Sequence, residues 1–155
     1  MLLRTTATAF ALLLMSLPAH AQTVSASDPE GMVSALQDLG YKATLDSAED
    51  GDPLIRSMAD GTNFRIWFYG CDDANSNCTG LNFSAGFDLE KGTTLAKMND
   101  WNNQQLLGYA TLDDENDPFL NHFVVTNGGI PVETFQSIID RWDRAIADFK
   151  AEINF

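Results

Sequence analysis

The stretch NFRIWFYGCDDANSNCTGLNFSAGFD, residues 63–88, holds two alternating runs joined by a loop that begins and ends with cysteine. In the first run Phe64, Ile66 and Phe68 share one side and Arg65, Trp67 and Tyr69 the other. In the second, Leu81, Phe83, Ala85 and Phe87 alternate with Asn82, Ser84 and Gly86. A period of two is the period of a strand, and two such runs around a short loop predict an antiparallel hairpin. Cys71 and Cys78 then sit at its loop end.

Whether those two cysteines form a metal site, a redox centre or a staple depends on the compartment. The chain opens MLLRTTATAFALLLMSLPAHAQ, with Arg4, an apolar run to Met15 and the small-residue site Ala19-His20-Ala21. This is the pattern of a secretory signal peptide over residues 1–21. The apolar run is short for a bilayer-spanning helix, so no membrane insertion is expected after its removal. A periplasmic or secreted location follows, and exported cysteines tend to pair. Zinc needs three or four ligands, and beyond the leader only Cys71, Cys78 and His122 offer a thiolate or an imidazole. The spacing is not C-x-x-C either. A structural disulfide is the expectation.

Cleavage after Ala21 leaves 134 residues, enough for one domain with a core. It removes one Arg and no acid, so a net charge of −13 becomes −14. Such a surface repels phosphate backbones and excludes ordinary nucleic-acid binding.

Outward from the hairpin, residues 22–27 read as a flexible leader and residues 28–155 as a single domain. Asp28 and Pro29 open a helix with Met32, Ala35, Leu36 and Leu39 on one stripe, ended by Gly40. KATLDS and LIRSMA read as strands, with Asp60-Gly61 as a hairpin turn into the quoted stretch. TTLAKMNDWNNQQLL predicts a second helix, capped by threonine and buried through Leu95, Met98 and Trp101. GYATLD and FLNHFVVT are strands around an acidic loop. Pro131 opens a last helix in which Val132, Phe135, Ile138, Ile139, Trp142, Ile146, Phe149 and Ile153 recur at helical spacing. About six short strands and three helices predict an α+β layer with an antiparallel sheet.

Catalytic and cofactor signals are sparse. His122 is the only histidine past the leader and lies within a strand, so no Ser-His-Asp set is indicated. Asp113, Glu115 and Asp117 stand at alternate positions, but the places where a calcium loop needs glycine and glutamate hold Pro118 and Val124. The loop from Asp46 has Gly51 in place and Ala48 where a ligand is needed. Both read as solvated turns. No phosphate-cradling glycine loop occurs, and no cofactor or metal is expected. Carboxylates from different loops could still meet as a hydrolase pair.

The segment MNDWNNQQLLGYATLDDENDPFLNHFVV, residues 98–125, followed by the helix with Phe135 and Trp142, resembles the YbjN family. Trp101-Asn102 with the acidic hairpin after it is the most specific part, and the likeness extends over residues 28–151. The cysteine-bearing hairpin is similar to that of exported members. The resemblance implies a fold like that of type III secretion chaperones and a sensory transduction regulator label. It implies no catalytic residues.

Two functional classes follow: a non-enzymatic binding or chaperone-like module with a protein partner or a homodimer, or an envelope hydrolase using carboxylates. The candidate surface is the hairpin face with Arg65, Trp67 and Tyr69. Large aromatics there would be covered by a loop or terminal segment, or would serve as a contact, since Trp, Tyr and Arg dominate interface hot spots.

Overall fold

The computed structural model describes residues 22–155, and the expected signal peptide lies outside the described residues. Chain order is β1 (Thr23–Val24), α1 (Pro29–Asp38), β2 (Ala43–Ser47), β3 (Pro53–Ala59), β4 (Thr62–Tyr69) and β5 (Gly80–Gly86). Then come α2 (Leu95–Gln104), β6 (Tyr109–Leu112), β7 (Pro118–Val125), β8 (Ile130–Pro131) and α3 (Val132–Ile153). This is the expected α+β arrangement. Six strands form one antiparallel sheet in the order β2-β3-β4-β5-β7-β6, and β1 and β8 make a separate pair.

Local chemistry explains the elements. Asp28 accepts a hydrogen bond from the Gly31 N–H, and Thr94 accepts one from the Lys97 N–H, so each caps its helix. Asp60 and Gly61 both take positive φ, 46° and 72°, as a tight hairpin with right-handed twist requires. β4 and β5 pair with Trp67 opposite Asn82 and Phe68 opposite Leu81, and the Cys71–Cys78 disulfide closes the loop between them.

All three helices pack on one face of the sheet. Met32 and Leu36 of α1, Met98 and Trp101 of α2, and the α3 stripe join Phe64, Ile66, Phe83 and Leu120 in a single buried cluster. Trp142 lies at its centre, 5.9 Å from Phe64 and 5.8 Å from Phe83 between ring centroids. Phe149 meets Phe87 at 5.3 Å and Trp101 at 4.8 Å, which locks α2 against α3.

Two expectations are corrected. Residues 22–27 are tied down rather than flexible. Thr23 and Val24 pair with Pro131 and Ile130, Ala26 donates its N–H to Thr126 Oγ1 at 2.8 Å, and Val24 and Ala26 are buried. Small apolar side chains at alternate positions fill the space beside α3, and two-residue strands are too short for periodicity to reveal. Leu95 is 74 % exposed and does not join the α2 stripe, because that helix reaches the core only from its second turn.

Candidate functional site

Among the described residues no helix lies on the opposite face of the sheet. Alternation and register place Leu54, Arg56 and Met58 of β3 on it, beside Asn63, Arg65, Trp67 and Tyr69 of β4. Asn82 and Ser84 follow on β5, then Phe119, Asn121, Phe123 and Val125 on β7, with Tyr109 and Thr111 at the edge. The candidate residues Arg65, Trp67 and Tyr69 therefore do share one side. Arg65 and Tyr69 are exposed and Trp67 is half-buried, so among the described residues no loop covers Arg65 or Tyr69.

The arrangement is wider than those three residues. Tyr69 and Phe123 meet edge to face at 6.2 Å, and both are about half exposed, at 48 % and 50 %. The Arg65 guanidinium stands over the Trp67 ring at 5.8 Å, within the range of a cation–π contact. Two glycines of β5 let neighbouring rings lie down across the strand. A Cβ on Gly80 would stand 2.6 Å from Phe123, and one on Gly86 would stand 2.7 Å from Phe119. The space at Gly86 thus serves Phe119 of β7 rather than a ring of β4. Between the rings runs a polar line, in which Asn82 Nδ2 donates to Asn121 Oδ1 and Asn121 Nδ2 donates to Thr111 Oγ1, each at 3.3 Å.

Charge on this face departs from the rest of the molecule. Arg56 and Arg65 sit directly opposite each other on β3 and β4, and Asp46 of the neighbouring β2 is paired with Arg56 at 2.6 Å. That guanidinium, followed by the Ser47 N–H, holds the Asp46 carboxyl below its ordinary value.

A family model described as "putative bacterial sensory transduction regulator" matches residues 28–155. The chain belongs to the YbjN family. No curated protein and no solved structure matches it.

In this YbjN chain the Trp101-Asn102 pair has two separate duties. Trp101 is buried against Phe149. Asn102 turns to the edge strand β6, where its Oδ1 accepts from the Ala110 N–H at 2.7 Å and its Nδ2 donates to the Ala110 carbonyl at 3.1 Å. The acidic loops are also structural. Asp113 Oδ1 accepts from the N–H groups of Glu115 and Asp117, and Asp117 Oδ1 accepts from Leu89 N–H. Asp72 accepts from the Asn77 amide, then from the Ser76 N–H and hydroxyl, which lowers its pKa to about 2 and shapes the disulfide loop. His122 lies on the helix side of β7 opposite Phe83, and burial lowers its pKa.

Sequence reasoning missed Phe119, Phe123 and Tyr109 as members of this face. FLNHFVV is apolar on both sides, so alternation alone does not say which side meets the helices. The placement of β7 beside β5 decides it.

Proposed function

We propose that this YbjN-family protein is a non-enzymatic binding module that works outside the cytoplasm and holds a protein partner on its uncovered sheet face. The observation behind this reading is the one-sided packing: all three helices cover one face, and Trp67, Tyr69 and Phe123 remain on the other. Tyr69 and Phe123 are exposed beside a half-buried Trp67, and large rings gathered in this way are the anchors that interfaces use. Arg56 and Arg65 stand on this face of a chain of net charge −13, which favours a partner with apolar side chains ringed by carboxylates. Export is supported by the leader pattern of residues 1–21 and by the Cys71–Cys78 bond, since disulfides persist in oxidising compartments. A chaperone-like role belongs to the same reading and is in keeping with the type III secretion chaperone-like fold that the resemblance implies.

The test is co-purification from the periplasmic fraction, with light scattering on the isolated protein. The wild type is expected to retain a protein partner or to pair with a second copy. Trp67→Ala and Tyr69→Ala are expected to lose that association while thermal melts stay close to wild type. Association that survives both substitutions rejects the face as the contact. Turnover of an envelope substrate by the purified protein would favour the carboxylate hydrolase.

A further inference from the structure

At one end of the uncovered face lies a cleft of about 560 Å³. β5 supplies its floor, where Ser84 is small, Gly86 has no side chain and the Phe119 ring lies over that glycine. Arg56 and Arg65 line one side, from β3 and β4. Asp88, which follows β5, and Asp113, on the β6–β7 turn, line the other. β4 and β7 flank β5, so their backbones stand roughly 10 Å apart at ordinary strand spacing. The two signs therefore face each other without meeting. Among the described residues no ion pair joins them: Arg56 is paired with Asp46, and Arg65 rests on Trp67.

Like charges directly opposite on neighbouring strands are destabilising. Arg56 and Arg65 are so placed, and an anionic group between them would relieve the repulsion. A simple anion would also meet the field of a chain of net charge −13 and the carboxylates across the cleft. A simple cation would meet the arginines. A molecule carrying both charges avoids each penalty, and the volume suits a small ligand.

We propose that this cleft binds a zwitterion of amino-acid or dipeptide size. Its carboxylate lies between Arg65 and Arg56, its ammonium faces Asp88 and Asp113, and its apolar part rests on Phe119. This goes beyond the protein-partner reading and does not depend on it.

Nuclear magnetic resonance titration of the full-length exported protein tests it, with alanyl-alanine, acetate and methylammonium as separate probes. Saturable shifts at the Ser84 and Gly86 amides and the Phe119 ring are expected with the dipeptide alone. Arg65→Gln and Asp88→Asn should each weaken that binding about tenfold or more, as loss of one charged hydrogen bond does. Their melting temperatures should match the wild type, both side chains being exposed. Tyr69→Ala does not touch the cleft and should bind the dipeptide normally even if partner capture is lost. The proposal is overturned if the dipeptide gives no saturable shift at tens of millimolar, if acetate shifts the same signals equally, or if the folded Arg65→Gln and Asp88→Asn proteins bind as the wild type does.

Discussion

The sheet has two faces built by the same strands, one residue out of step. On the covered face Phe64 and Phe83 close around Trp142, and none of the three is more than 2 % exposed. On the other face Tyr69 and Phe123 make a comparable ring contact and remain about half exposed. Ring chemistry is similar in the two places; what differs is the second layer. A helix lies over the first pair, while in the second the Phe123 ring lies against Gly80 of β5. Aromatic contact alone therefore does not mark a core. The covered rings hold the fold together, and the uncovered rings are free to meet something else.

The largest test of that contrast is Trp142→Ala. Truncating a fully buried indole should cost about 3–5 kcal/mol, by lost transfer energy and the cavity left behind. Chemical denaturation checks it, and a cost under about 1 kcal/mol would show that the helix layer is not what separates the faces. Next comes the staple that fixes the register of β4 and β5 and so keeps both faces in step. Replacing Cys71 and Cys78 with serine should cost about 2.5 kcal/mol from the freed loop. Intact mass after alkylation, with and without reductant, reports the native bond, and two free thiols would remove this argument.

Asn102→Ala should cost about 1–3 kcal/mol, because it leaves a backbone N–H and carbonyl of the edge strand without their partners. Faster amide exchange at Ala110, with the core amides of β4 unchanged, is the accompanying sign. A pH dependence separates the faces differently. His122, on the helix side, has its pKa lowered from 6.5 by burial, so the unfolded chain binds a proton before the folded one does. Its contribution is full above the unfolded value and is lost as pH falls through 6.5 toward the lower folded value. The melting temperature of wild type relative to His122→Phe should therefore drop as pH falls from neutrality, and a constant difference would exclude the effect.

The smallest expected stability effect is on the open face, where Tyr69→Ala and Phe123→Ala should each cost under about 1 kcal/mol. Losses near 3 kcal/mol would place these rings among the core and abolish the contrast.

Much of this was legible in the chain itself. Alternation separated Phe64, Ile66 and Phe68 from Arg65, Trp67 and Tyr69, because each side of β4 differs in polarity from the other. Helical spacing found the α3 stripe for the same reason. The readings that failed are those where contrast is absent or the element is short. Both sides of β7 are apolar, so Phe119 and Phe123 could not be assigned to a face. β1 is two residues long and is held by partners about a hundred positions away, with the Ala26–Thr126 bond spanning 100. The cleft is non-local in the same way: its arginines belong to β3 and β4, and its acids follow β5 and precede β7.

The placement of Asn102 has a consequence for the order in which the chain is made. A strand edge is dangerous to a nascent protein, because its open amides invite other chains. Here the group that occupies that edge precedes Ala110 by 8 residues. At translation rates of roughly 5–20 residues per second it emerges within about two seconds of the strand it guards, and ahead of it. An asparagine placed after β6 in the sequence would reverse that order. The edge would then emerge unguarded.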